Sequence, residues 1–280
     1  MDIFMLKLSF ELFPPKSEAI KQRFDTCTDF VASVGAEFLS VTFGAGGKSK
    51  SATIDSVVEV KNKYKTLPLT AHLTCLGLGF GEIEEIIEVY KANKIENILA
   101  LRGDVNQKDD LTKSAFKNSV ELTTYIKKNY PQFKVFVAGY PEKHPDATSL
   151  SADVDFLKQK QDAGADGIIT QYFFVNDNFY KFYELTQKKQ INIPIIPGLV
   201  PVGNFESIKN FSAKCGTIIP QRLEEYFAKP EDNIKNGAML CALQGADLYK
   251  NGFKHLHIYM LNNPEPSVSV CKVLKLFTSL

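Results

Sequence analysis

The chain carries almost no net charge: 33 Lys and Arg stand against 32 Asp and Glu, a formal charge of +1 at pH 7. That balance gives no long-range field to gather nucleic acid or an anionic membrane, so neither is expected as a partner. A small anionic substrate and a local basic pocket both remain compatible with it. No run of about 18 apolar residues occurs, so no membrane-spanning helix is expected. The apolar start, Met1 to Phe13, lacks a basic beginning and a small-residue cleavage site, and it runs on into Pro14-Pro15. It reads as a first strand rather than a signal peptide. Cysteine is sparse: the five thiols are isolated, odd in number and contain no C-x-x-C pair. They are expected to fill the core of a protein in a reducing cytoplasm.

Common chemical fingerprints are missing too. The segment from Thr42 to Ser49, Thr-Phe-Gly-Ala-Gly-Gly-Lys-Ser, nearly spells a phosphate-binding loop, but Thr42 stands where the pattern needs glycine. A glycine-rich strand-to-helix turn is the simpler reading, with backbone N–H groups still able to meet a ligand. A non-catalytic phosphate binder built on Gly44–Ser49 is one alternative function. Gly77-Leu-Gly-Phe-Gly81 is not the G-x-G-x-x-G of a dinucleotide fold, and no G-x-S-x-G nucleophile elbow occurs. Only four histidines are present. Two of them, His255 and His257, share one face of a strand at metal-ligand spacing, without a flanking acidic pair. They leave open a second alternative, a metal-assisted lyase or hydrolase using Glu11 with His255 and His257.

What is present is a regular alternation of short β-like runs with longer amphipathic ones. Strands are expected at Leu6–Phe13, Glu37–Phe43, Leu69–Cys75, Asn97–Leu101, Lys134–Tyr140, Gly167–Phe173, Ile193–Leu199 and Lys254–Met260. Helical patterns fall between them, including Glu82–Ala92, Ser114–Lys128, Ala152–Ala163 (with Ser151 as its cap) and Phe205–Lys214. Extra helical sequence around Gln221–Tyr249 precedes the eighth strand, and Ser267–Phe277 closes the series. Gly164, Gly216 and Gly252 mark helix ends. Eight such units without a Pro/Gly/Ser-rich linker predict one domain over residues 1–280, a closed (β/α)8 TIM barrel, with an open doubly wound sheet as the competitor.

The strand faces point to the site. Lys7, Ser9 and Glu11 lie opposite Leu6, Leu8, Phe10 and Leu12; Thr70, His72 and Thr74 lie opposite Leu69, Ala71 and Leu73. Since apolar faces must meet the helices, the barrel interior should be polar. Glu11, Thr42, His72, Arg102, Asp104, Tyr140, Gln171 and Tyr259 all fall toward strand C-terminal ends, where this architecture builds active sites. In Ser9-Phe-Glu-Leu-Phe-Pro-Pro15 a lone carboxylate sits among aromatic and proline side chains. Desolvation should raise its pKa and equip Glu11 for proton transfer, unless it pairs with an interior cation. Leu101-Arg-Gly-Asp104 ends the fourth strand with a cation and an anion on one face, suited to binding an anion, to stabilising a cation, or to pairing with each other.

These segments carry a resemblance to a known family. Phe10-Glu-Leu-Phe-Pro-Pro15, Ser40-Val-Thr-Phe-Gly-Ala45, Ala71-His-Leu-Thr-Cys75, Ala100-Leu-Arg-Gly-Asp104 and Gly139-Tyr-Pro-Glu-Lys-His-Pro145 are similar to blocks of the methylenetetrahydrofolate reductase catalytic domain. So are Asp162-Ala-Gly-Ala-Asp166, Ile169-Thr-Gln-Tyr-Phe-Phe174, Ile196-Pro-Gly198 and His257-Ile-Tyr-Met-Leu-Asn262. The length resembles that of the bacterial-type form. The resemblance implies FAD, reduced by NADH or NADPH, which in turn reduces 5,10-methylenetetrahydrofolate to 5-methyltetrahydrofolate in a ping-pong reaction that feeds methionine synthesis. It implies that Glu11 is the general acid and that Asp104 is a carboxylate stabilising a developing cation near flavin and pterin. Gln171, Phe211 and Tyr259, with Asp104, would contact the exchanging substrates. Flavin would be held by Thr42, Ala45, His72, Arg102, Gly103, Asp104, Tyr140, His144, Ala147, Asp153 and Lys160. Assembly into homo-oligomers through exposed helices is implied as well. The chain departs from the pattern at Asn263, where the family commonly has arginine.

Overall fold

The structure, a computed structural model, describes residues 6–43, 47–104 and 111–278. Eight strands run β1 (Lys7–Leu12), β2 (Phe38–Val41), β3 (Leu69–Thr74), β4 (Asn97–Leu101), β5 (Lys134–Gly139), β6 (Gly167–Tyr172), β7 (Ile195–Leu199) and β8 (His255–Tyr259). Each pairs in parallel with its neighbours in sequence, and β8 returns to β1, closing the barrel. The open-sheet alternative is thereby removed. Strand ends match the expected limits or fall a residue or two inside them. At β7 the cause is Pro194, which has no N–H for the ladder and contributes only its carbonyl, accepting from Ile168.

Around the barrel run α1 (Glu18–Ser33), α2 (Gly47–Lys63), α3 (Phe80–Ala92), α4 (Ser119–Asn129), α5 (Leu150–Asp162), α6 (Asn176–Lys188), α7 (Phe205–Cys215) and α10 (Pro264–Thr278). The additional helical sequence before β8 forms α8 (Arg222–Tyr226) and α9 (Asn233–Lys250), and α9 packs on α10. Caps explain the starts. Ser17 accepts from the N–H of Ile20, and Asn204 from that of Ser207. Four expected starts need correction, and two of them, α3 and α10, simply open earlier, at Phe80 and Pro264. α5 is capped by Ser149, whose hydroxyl accepts from Ala152, so Ser151 lies inside the helix. α4 begins at Ser119, because Asn118 accepts from both Val120 and Glu121 and fixes the start there. At the end of α7, Gly216 takes φ +72, a left-handed stop that a side chain would strain.

The strand-to-helix core holds the alternate residues expected of it: Phe10, Leu12, Leu39, Val41, Leu69, Ala71 and Leu73 are fully buried against the helices. The barrel interior is more divided than the sequence implied. Its β8–β1–β3 sector is polar, with Ser9, Glu11, Thr70, His72 and His257 buried. Against it sits an apolar plug of Phe38, Leu99, Ile169 and Ile196, with Leu101 and Phe136 packed on it. That plug is ordinary barrel filling.

Candidate active site

Glu11 projects from the penultimate position of β1 into the interior, and register sets Tyr259 beside it on β8 and Ser40 on β2. The Nε2 of His72 from β3 lies 3.3 Å from Oε2 of Glu11, and that of His257 lies 3.7 Å away. These are ion-pair separations, and neither Nε2 satisfies hydrogen-bond geometry. Burial by itself pushes the carboxyl up; attraction to His72 and the polar contacts of both imidazoles outweigh it and hold Glu11 at about 2. The expected rise in its pKa is therefore corrected: an interior partner is present, a histidine pair rather than a Lys or Arg. Burial lowers the pKa of His257.

Below this cluster, one hydroxyl serves both β8 histidines. Ser9 Oγ is 2.8 Å from Nδ1 of His257 and 3.0 Å from Nε2 of His255. The two rings thus turn to Ser9 rather than to a common metal position. Among the described residues no group of three or more His, Cys, Asp or Glu side chains is arranged to hold a metal ion.

Beside β4 and β5 opens a cavity of about 350 Å³. Six residues expected at a flavin site line it: Arg102, Tyr140, His144, Ala147, Asp153 and Lys160. Arg102 stands just past β4, and its guanidinium meets Asp146 at 2.7 Å rather than Asp104. Lys160, on the inward face of α5, is buried, donates to the Ala138 carbonyl at 2.7 Å and lies over the Phe156 ring. Burial lowers its pKa to about 8. Asp153 accepts from the His144 N–H at 2.8 Å and so ties α5 to the loop after β5. Gly103 has φ +90, and a Cβ there would come within 3.0 Å of Thr74, so a larger residue would disturb the β3–β4 rim. His72 adjoins Glu11 rather than lining this cavity. Thr42 is half-buried at the end of β2, its carbonyl accepting from Thr53. Asp104 is exposed at the rim. Ala45 lies outside the described residues, as does much of the Gly44–Ser49 turn.

Phe211, Tyr259 and Gln171, expected to meet the substrates, lie at the barrel mouth. Phe211 of α7 stacks on Tyr172 with ring centroids 5.9 Å apart and meets Phe13 edge-on at 6.5 Å. Tyr259 donates to the Thr170 carbonyl at 2.8 Å. It can do so because Gly198 has no side chain: a Cβ there would lie 2.2 Å from that carbonyl and 2.6 Å from the Tyr259 ring. Gln171 is half-buried nearby, its Oε1 accepting from the Tyr172 N–H.

Several site residues escaped the sequence reading. The parity of β8 puts His257 on the interior face with Tyr259, but its place beside Glu11 follows only from closure of the barrel. Lys117, Asn118 and Ser119 line the cavity at the start of α4; the cap signal of Asn118 was legible, but the misplaced helix start hid it. Phe13, Tyr172 and Asn262 build the mouth through contacts distant in sequence. Asn262 clamps the backbone of Phe13, accepting from its N–H and donating to its carbonyl, both at 2.9 Å.

A family model described as "Methylenetetrahydrofolate reductase" matches residues 4–275. The chain is 34% identical over 278 residues to the 5,10-methylenetetrahydrofolate reductase of Buchnera aphidicola from Acyrthosiphon pisum, covering 97% of this chain and 92% of that one. It is 32% identical to methylenetetrahydrofolate reductase (NADH) 1 of Arabidopsis thaliana, covering 94% of this chain and 47% of the plant protein. Among solved structures, an uncharacterized Clostridium thermocellum protein that binds two copies of 5-methyl-5,6,7,8-tetrahydrofolic acid superposes with a TM-score of 0.64 at 13% identity. That pair is covered to 99% and 96%, and at this identity the likeness concerns the fold alone. With a family match over nearly its whole length and a Glu11 cluster set at the mouth of the barrel, the chain belongs to the methylenetetrahydrofolate reductase family and is an oxidoreductase.

Proposed function

We propose that residues 1–280 act as one cytoplasmic catalytic domain that reduces 5,10-methylenetetrahydrofolate to 5-methyltetrahydrofolate, using NADH or NADPH as donor and FAD as carrier. The observation that carries this reading is the cavity beside β4 and β5, lined by six of the residues that the family resemblance assigns to flavin. Its chemistry fits the group. Arg102 and the buried Lys160 supply positive charge for a diphosphate, while Tyr140, Phe156 and Ala147 supply apolar wall. Bound there, FAD would accept a hydride from the nicotinamide and hand it on to the one-carbon unit in a ping-pong sequence.

The protein's share is positioning and charge. Asp104, at the rim, places a carboxylate where a cationic one-carbon unit would develop, and stabilises it through its field. Tyr259, Gln171 and the Phe211–Tyr172 stack border the mouth, an aromatic wall for the pterin and the nicotinamide in turn. Glu11 assists ring opening by delivering a proton to a folate nitrogen. Because it rests as a carboxylate, that proton must reach it from a neighbour during turnover. The product would supply methyl groups for methionine synthesis.

The visible spectrum tests the reading directly. Purified protein should absorb as an oxidised flavoprotein or acquire that spectrum with added FAD. NADH should bleach it anaerobically, and methylenetetrahydrofolate should restore it. A protein that takes up no FAD, or whose bleached form ignores the folate, overturns the proposal.

A further inference from the structure

We propose that His255, Ser9 and His257 form a proton path that recharges Glu11 from the floor of the barrel. The inference rests on Glu11 acting as the acid. It adds a route and a terminal residue, His255, that this reaction has not required so far.

The path is continuous along the β1–β8 seam. His255 opens β8 at the N-terminal end of the barrel and is half-buried, close to the Lys7–Glu37 ion pair. Its Nε2 is 3.0 Å from Ser9 Oγ, Ser9 Oγ is 2.8 Å from Nδ1 of His257, and Nε2 of His257 is 3.7 Å from Glu11. The last gap must shorten by about 1 Å to become a hydrogen bond. Ser9 and His257 are both 0% exposed, so bulk water does not supply these contacts. Phe38, a member of the apolar plug, touches both imidazoles, at 5.7 Å each. Tyr259 caps His257 edge-on at 5.1 Å, and His72 faces Glu11 from β3.

Directionality gives the network two states. Ser9 has one proton and two imidazole nitrogens beside it. When His255 donates to Ser9, Ser9 donates to Nδ1 of His257, whose Nε2–H faces the Glu11 carboxylate. As water at the floor protonates Nδ1 of His255, a concerted hop moves its Nε2 proton to Ser9, the Ser9 proton to Nδ1 of His257, and the Nε2 proton of His257 to Glu11. Before the next delivery both imidazoles return to their first tautomers, His255 by proton exchange at the floor and His257 by a turn of its ring. One proton enters, one carboxylate becomes a carboxylic acid, and no electrons move. Burial holds His255 at about 4, so it passes protons as a neutral imidazole rather than storing one. The benefit is access: the folate and flavin would cover the C-terminal mouth just when Glu11 needs its proton.

Two substitutions separate a relay from a structural contact. Gln at 255 can keep a donor to Ser9 but cannot shuttle a proton; Leu keeps only bulk. In stopped flow, both His255→Gln and His255→Leu should slow flavin reoxidation by methylenetetrahydrofolate by roughly tenfold or more. Bleaching by NADH should keep its wild-type rate. Reoxidation at wild-type rate in either variant overturns the path, and recovery in the Gln variant alone would make His255 a packing and hydrogen-bonding residue. Should the variants not fold, the wild-type protein decides: reoxidation should fall off non-linearly with the D2O fraction, as several moving protons require, and a linear dependence overturns the path. Glu11→Gln keeps the two failures apart. If that variant still reduces folate, the acid reading itself is wrong; if it does not while the His255 variants are fast, only the relay fails.

Discussion

Replacing Glu11 by Gln removes the one carboxyl of the histidine cluster while keeping its shape, and the consequence for folding can be worked from its titration. An ordinary glutamate titrates at 4.5, and Glu11 is held at about 2. A depressed pKa means that the folded state favours the ionised form. Its stabilisation is complete above the unfolded value and disappears as the pH falls from 4.5 toward 2. The difference corresponds to about 3 kcal/mol at neutral pH, with about half of it gone by pH 3. In urea unfolding, Glu11→Gln should therefore be destabilised by that order at pH 7, and the gap to wild type should narrow steadily from pH 5 to pH 3. A gap that stays constant over this range refutes the ion-pair reasoning. A variant more stable than wild type at pH 7 would show instead that burial dominates and that the carboxylate is a cost.

Other expectations follow from the same geometry. Glu11→Gln should retain flavin and its bleaching by NADH yet lose most folate reduction in half-reaction kinetics; loss of FAD would make Glu11 structural. Asp104→Asn should raise the flavin reduction potential and slow methylenetetrahydrofolate reduction, and an unchanged potential and rate would remove its electrostatic role. Lys160→Met should weaken FAD binding by about tenfold or more, read by fluorescence titration, with little loss of helix α5. Gly198→Ala should force Tyr259 off the Thr170 carbonyl, costing about 1–3 kcal/mol in urea unfolding together with a raised KM for folate. Wild-type stability in that variant would show that the strand gives way freely.

Local pattern carried the architecture a long way. The two-residue alternation in Lys7–Leu12 and Leu69–Thr74 announces which side chains meet the helices, because a strand has no other way to divide its faces. Eight such runs with helical sequence between them leave few closures, and the barrel was legible without a tertiary contact. So was the placing of Glu11, Tyr140, Gln171 and Tyr259 at strand C-terminal ends, since that depends only on counting along each strand.

What counting along the chain does not reach is the company each side chain keeps. Burial around Glu11 could be foreseen from its aromatic neighbours and argued for a raised pKa. The opposing histidines arrive from β3 and β8, 61 and 246 residues further on, and only closure of the barrel brings them within 4 Å. The same holds for Arg102, which finds Asp146 in the loop after β5 rather than Asp104 two residues on. It holds also for the apolar plug, built one residue at a time from β2, β4, β6 and β7. Periodicity is a short-range consequence of backbone geometry and can be read in sequence. Ionisation and pairing depend on distances across the barrel, and those are set by strand order and register.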